Sequence, residues 1–457
     1  MKKMRKTCFI FLILTVLMVP SAAQTARQNS LLRSGPMLGY SEMTETAVWL
    51  QTKQPAEAQI RYWKQGEPKN VKFSKTVRTN EEADFIARFT LSQLEFGARY
   101  DYDVYLNNRR VTFDFQPNFQ TQPHWRWRTE PPTFRFALGS CAYINDPPFD
   151  RPGTPYGSGF EIFSTIAAKK PDFMIWLGDN VYYREPDWLN ESGMRYRFRQ
   201  NRELPQLQQL LATTHNYAIW DDHDYGPNDS DRTYRLREQA LRVFKDYWAN
   251  ATYGEPETPG VFGRFEWADV EFFLLDDRFY RSPNEMPNSP DKVMLGERQM
   301  RWLTESLRSS KATFKIVVNG SQMLNQFNPF ESFKQFPGEY RRLLDFIRDA
   351  RVEGVVFLSG DRHYTELIRI NDVGSYPLYD FTSSPLTAGN SNPHKNEENN
   401  PDRVAGTLVK GTKNFGMIEV TGPAKERRLT MSAIDLTGKE LWKHEIQAAE
   451  LKFPKQN

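Results

Sequence analysis

Between residues 134 and 361 the chain uses one device six times: an apolar run stops abruptly at polar, chemically capable side chains. The runs are FRFALGSC, DFMIWLGDN, NYAIWDDHD, VEFFLLDDR, FKIVVNGSQ and VEGVVFLSGD. Short apolar runs rich in β-branched and aromatic residues, bounded by Gly, Asn or Asp, read as strands covered on both faces. Stretches with apolar residues at helical spacing lie between several of them, at 160–169, 232–248, 296–307 and 336–350. This alternation predicts an α/β fold. Ligands in such folds bind beyond the carboxyl ends of the strands, so the six tips are expected to meet at one site.

The region from about 35 to 128 follows a different grammar. TAVWLQT, AEAQIRYW and DFIARFTL alternate apolar and polar residues between turn residues, which predicts an all-β module. In LEFGARYDYDVYLN, residues Leu94, Gly97, Tyr100 and Tyr102 suggest a sandwich corner where a Tyr hydroxyl meets backbone across the turn. The stretch resembles a fibronectin type III module, a likeness of architecture without chemistry. TEPPTFRF (129–136) reads as a linker. Near the end, 389–413 reads as a surface loop, and RRLTMSAIDLTGKELWKHEI as two strands.

The first residues read as an export signal: a basic MKKMRK, an apolar stretch from Cys8 to Val19, then small residues through Ala23. That stretch is short for a membrane span. The expected division is therefore signal peptide 1–23, β-sandwich 24–130 and catalytic domain 131–457, in a protein that is periplasmic or extracellular without a stable membrane anchor. Sixty basic residues against 57 acidic give a net charge of +3, so bulk electrostatics offers nothing for nucleic acid binding. Of the two cysteines, Cys8 leaves with the signal. Cys141 is then without an intramolecular partner, and is inert, reactive or a metal ligand.

The densest chemistry stands in IWDDHDYG (219–226), with Asp221, Asp222, His223 and Asp224 in succession. Adjacent buried carboxylates repel unless a cation lies among them. WLGDNVYY delivers Asp179 through Gly178, and FLSGDRHY delivers Asp361 and His363. One such aspartate is ordinarily a turn former. Three tips with Asp, two of them with an adjoining His, favour a metal centre. Tyr182, three residues beyond Asp179, either shares that ion or covers the site as an aromatic. Asn319, Ser321 and Gln322 offer neutral donors or only a hydrogen-bonded turn. Arg184 and Arg362 flank the motifs and either neutralise phosphate or form ordinary ion pairs.

The order Cys141, Asp179, Asp222-His223, Asp361-x-His363 resembles the metallophosphoesterase superfamily, and within it the alkaline phosphatase D (PhoD-like) family. The tips SC, GDNVY, DDHD and GDRH carry the resemblance, together with Cys141 at the first tip and Tyr182 after the aspartate. GDNVYYRE stands where the family more often has GDYIYE, and Ala142 where glutamine is common. The resemblance implies a β sandwich flanked by helices, behind a β-domain, holding one ferric ion and one or more calcium ions. Cys141, Asp179 and Tyr182 would ligate iron, with His363 completing that sphere. Asp179 would bridge to calcium with Asp222 and Asp361, and Asn319 or Gln322 would contribute. His223 would be the proton donor, with Asp221 and Asp224 orienting their neighbours. The implied activity is hydrolysis of phosphate monoesters or diesters by metal-activated hydroxide, the only implied partner being a phosphate-ester substrate. Two other readings are a cell-surface protein that binds a glycan or anion without turnover, and a metallohydrolase of carboxyl esters.

Overall fold

The computed structural model describes residues 31–371, 374 and 376–454. The expected export signal lies outside them. All six apolar runs form strands: Phe134–Gly139, Phe173–Leu177, His215–Ile219, Val270–Leu274, Phe314–Val318 and Val355–Ser359. The first three are parallel neighbours in a nine-stranded sheet. The last three are parallel neighbours in a six-stranded sheet, where Pro377–Thr382 continues the parallel set. The two sheets pack face to face around aromatic rings. Phe136 stacks on Phe173 at 4.8 Å, and Phe272 of the second sheet meets Phe173 edge-on at 5.4 Å. Helices cover the outer faces, which is why these strands read as continuous apolar runs without alternation.

Helices occur at Ile162–Ala168, Arg237–Tyr247, Gly296–Ser309 and Pro337–Asp349, within a few residues of their sequence-read spans. Three more, Glu191–Arg202, Pro205–Thr213 and the single turn Asp222–Tyr225, were not expected. Arg428–Asp435 and Glu440–Gln447 are strands, and 389–413 contains no helix or strand.

Residues 32–120 are all-β, with a core formed by Val48, Leu50 and Phe89 against Ile60, Tyr102 and Val104. Tyr100 makes the corner contact, its hydroxyl accepting from the Glu95 amide at 2.9 Å. This region is not a bead on a linker. Its first strand, Leu32–Ser41, lies parallel to His215–Ile219 with Leu38 opposite His215, so one sheet runs through both regions. The Ser41 amide donates to the Tyr217 hydroxyl at 3.1 Å, and Trp49 donates to the Asp246 carbonyl at 2.9 Å. Trp49 also shares a buried cluster with Phe198, Phe244 and Tyr247 of the helical layer. A chain beginning at Thr129 would expose an unpaired strand edge and this apolar face. It is expected to aggregate on expression. Recovery of a soluble, cooperatively folding fragment would refute that expectation.

Candidate metal centre

The strand tips converge, and the backbone turns sharply where four of the candidate ligands emerge, while Asp222 and His223 open a helical turn. Cys141, Asp179, Asp361 and His363 all have positive φ, at 62°, 53°, 67° and 57°. Gly178 precedes Asp179 with φ +91°, and a Cβ there would lie 2.6 Å from Cβ of Asp221. The GD pair is thus a close crossing of two ligand-bearing tips as well as a turn.

Three clusters of donor atoms result among the described residues: Cys141–Asp179–His363, Asp179–Asp222–His223 and Asp221–Asp222–Glu331. The first two share Asp179. Its Oδ2 accepts from the Tyr182 hydroxyl at 2.9 Å and lies 3.6 Å from Sγ of Cys141. Its Oδ1 faces the other way and accepts from the His223 amide at 3.3 Å. The Tyr182 oxygen is also 3.0 Å from Nε2 of His363, and its ring lies 4.2 Å from the His223 ring. Cys141, Asp179, Tyr182 and His363 therefore surround one point, with Asp222 and His223 beside it.

The electrostatics fit a cation there. Burial, then the charges of Asp222 and Cys141, push the Asp179 carboxyl well above the usual carboxylate range. Burial, then Asp361, pushes the Cys141 thiol up to about 11. Burial also raises Tyr182 and lowers both His223 and His363. These groups pay for desolvation and repel one another, which a metal ion among them would reverse. Nδ1 of His223 is buried without a hydrogen-bond partner. A thiol, a phenol, carboxylates and imidazoles around one point form a coherent transition-metal donor set.

The third cluster has its cation in the chain. Arg278, fully buried, donates through Nε to Asp221 at 2.6 Å and through Nη1 to Glu331 at 3.1 Å, while Nη2 lies 3.8 Å from Asp222. The negative charge of the DDHD tip is thus balanced partly by a guanidinium, where the sequence had suggested metal alone. His223 and Arg278 hold Asp222 below its usual value, against burial. Asp224 takes up backbone: its Oδ1 accepts from Asn180 and Val181, and its Oδ2 from Asp221. Burial pushes its carboxyl up to about 8.

Other sequence-read residues stand differently. Gln322 is committed elsewhere: Nε2 donates to Glu366 and Thr382, and Oε1 accepts from Asn325 and Asn328. It has no free donor for a metal. Asn319 donates through Nδ2 to the Ser321 carbonyl at 2.7 Å and approaches Asp277, while its buried Oδ1 has no hydrogen-bond partner. Asp361 has its carbonyl 3.5 Å from Sγ of Cys141, but its carboxylate is in none of the clusters. Arg184 lines the cavity beside His223, but its charge is already engaged. It is buried, ion-paired to Asp150 at 2.7 Å and bonded to the Ile144 and Tyr182 carbonyls, under the Tyr143 ring at 3.9 Å. Arg362 is likewise bound, to Glu397 at 3.0 Å and Tyr364 at 3.2 Å.

Sequence reasoning passed over Arg278, although LLDDR was one of the six tips and its Asp-Asp-Arg was a signal. It also passed over Tyr156, whose hydroxyl is 3.1 Å from Nδ1 of His363 and orients that ring. Nothing in TPYGSG marks Tyr156 as special.

Comparison with known proteins bears on the family and the fold. The PhoD-like phosphatase family profile matches residues 136–430, and a domain of unknown function (DUF7800) matches 29–124. Alkaline phosphatase D of Bacillus subtilis (strain 168) is 22% identical over 310 residues, which are 56% of this chain and 51% of that protein. The match thus spans about half the length of that curated relative. A solved structure of PhoD superposes with a TM-score of 0.76 at 16% identity, covering 94% of this chain and 93% of the other. The purple acid phosphatase PPD1 of yellow lupin (Lupinus luteus) gives 0.64 at 12% identity, over 90% and 74%. At these identities the structural likeness shows the fold alone. The sequence profile runs through the strand tips that supply Cys141, Asp179, Asp222, Asp361 and His363, and the chain belongs to the PhoD-like phosphatase family.

Proposed function

We propose that the chain is an exported, metal-dependent phosphoesterase acting on phosphate monoesters or diesters. The observation that carries this reading is the sharing of Asp179 by two donor clusters, beside a cavity lined by Tyr182 and His223. Cys141, Asp179, Tyr182 and His363 would hold one ion, and Asp179 with Asp222 a second. Ions bound there would supply an activated water and a positive field for the phosphoryl oxygens. The chain does the rest. Asp179 presents one oxygen to each cluster, Tyr156 fixes the His363 ring, and Asp224 pins the Asp179 loop to the DDHD turn. His223, held over the Tyr182 ring and lining the cavity, delivers a proton to the departing alkoxide.

The donor chemistry favours ferric iron beside Cys141 and Tyr182, and calcium on the carboxylate side with Asp179 and Asp222, toward which the Asp361 carboxylate, outside the three clusters, would have to turn. Thiolate and phenolate bound to iron would colour the protein, whereas zinc is d¹⁰ and would not. A colourless, active, zinc-only protein would exclude the ferric assignment. The all-β region is read as a fibronectin type III-like module on its tyrosine corner.

The test is hydrolysis of p-nitrophenyl phosphate, bis-p-nitrophenyl phosphate and an acyl ester, with and without chelator. Phosphate-ester turnover abolished by chelation supports the reading. Turnover confined to the acyl ester, or anion binding without turnover, rejects it. His223→Asn is expected to retain metal and to slow esters of basic alcohols by about 100-fold or more, and aryl esters much less. Equal losses on both would remove His223 as the proton donor.

A further inference from the structure

A cavity of about 630 Å³ opens beside His223 and Tyr182. Its walls are aromatic: Tyr143, Phe149, Tyr156, Tyr183 and Trp188. No Leu, Ile, Val or Met is among its lining residues, which also include Pro152, Pro155 and the acidic Asp150 and Glu185. Around these rings stand Arg151, Thr154 and Asn228, which offer hydrogen bonds to a polar edge. Of the two arginines lining it, Arg184 is already neutralised by Asp150, while Arg151 is exposed. The volume far exceeds what a phosphate or a three-carbon alcohol would fill, and lies in the range that holds drug-sized ligands.

The position says which part of the substrate belongs there. His223 faces the cavity, and the oxygen it protonates is that of the departing alcohol. The cavity is therefore on the leaving-group side of the phosphorus. Aromatic walls reward a flat ring through stacking, which every nucleobase can use. A flexible acyl chain would bury area there without the stacking gain.

We propose that this cavity is a leaving-group subsite for nucleosides, with Trp188 and Phe149 as its stacking walls, so that the preferred substrates are nucleotide esters. The proposal rests on the phosphoesterase reading. In the reaction, water adds its oxygen to phosphorus, the bond between phosphorus and the nucleoside oxygen breaks, and the nucleoside leaves with a proton from His223. Phe149 packs on Tyr196 at 5.4 Å, and Trp188 is half-buried with its carbonyl accepting from Tyr234. Neither belongs to the donor clusters.

The test compares adenosine 5′-monophosphate, ribose 5-phosphate and glycerol 3-phosphate, which share a primary alkyl leaving oxygen. The expected kcat/KM favours the nucleotide over ribose 5-phosphate by roughly 5- to 150-fold, the range that stacking of one base supplies. Trp188→Ala and Phe149→Ala should each cut that preference and leave glycerol 3-phosphate turnover unchanged. If Trp188→Ala fails to fold, Phe149→Ala alone decides. Equal use of nucleotide and ribose 5-phosphate, or a preference that survives both variants, overturns the proposal. Calorimetry with adenosine separates the two readings. Binding that Trp188→Ala or Phe149→Ala abolishes, in a protein that hydrolyses no ester, keeps the nucleoside subsite and rejects the phosphoesterase. Neither binding nor preference, in a protein that hydrolyses phosphate esters, rejects the subsite alone.

Discussion

Asp179→Ala is expected to lower phosphate-ester turnover by at least about 1,000-fold, the upper end of what loss of one preorganised charge-stabilising group costs. The size follows from geometry: the carboxylate presents one oxygen to the Cys141–His363 side and the other to the DDHD side, so one substitution injures both clusters. Stability should change little. The carboxylate is buried and its ionised form disfavoured, so removing it relieves desolvation while losing the Tyr182 hydrogen bond. Metal content by elemental analysis should drop with the activity. Wild-type turnover in a fully metallated Asp179→Ala protein would refute the assignment.

Arg278→Met should have the largest effect on folding. Four carboxylates face this guanidinium: those of Asp221, Asp222, Asp277 and Glu331. Their pull holds Arg278 firmly protonated although burial opposes it. Breaking a buried ion network by removing one partner typically costs about 3–5 kcal/mol, because the other charges stay behind unpaired. Urea unfolding should show a loss of that order. Adding Asp221→Asn to the same protein should return part of it, since that carboxylate would no longer be stranded, whereas Glu331 keeps Arg281 at 2.8 Å. A loss below about 1 kcal/mol would mean that the cluster is neutralised by other means. Lysine is not expected to substitute, because an ammonium cannot serve Asp221 and Glu331 through a planar fork.

The strands that build the site were legible because both of their faces are buried. Leu177 and Ile219 are wholly inaccessible, as are Val318 and Leu358, and such runs announce themselves without alternation. Their tips were legible because Asp and His after an apolar run need a reason. The helix Glu191–Arg202 was hidden because its buried face includes arginine. Arg197 pairs with Asp187 and Asp146, and Arg202 lies over the Trp248 ring at 4.1 Å, so an apolar stripe never appears in ESGMRYRFRQNR. The shared sheet was hidden too, since the pairing of Leu38 with His215 joins residues far apart in sequence. Gln322 looked available because sequence shows a donor type but not its prior commitments. Arg184 is a similar case: next to a metal motif it suggested a free charge for phosphate, and the structure pairs that charge with Asp150 at the cavity wall.

Four residues at the tips, Cys141, Asp179, Asp361 and His363, hold left-handed backbone. Each costs roughly 1 kcal/mol relative to glycine at the same place, somewhat less for the aspartates. Burial of like charges adds to that. The centre is therefore a local deficit that the surrounding sheets carry. Directed evolution toward heat resistance alone, with no demand for turnover, would find its easiest gains here, exchanging Asp179 or Asp361 for asparagine or glycine. A hardened lineage of this scaffold would be expected to lose its chemistry before it altered its core.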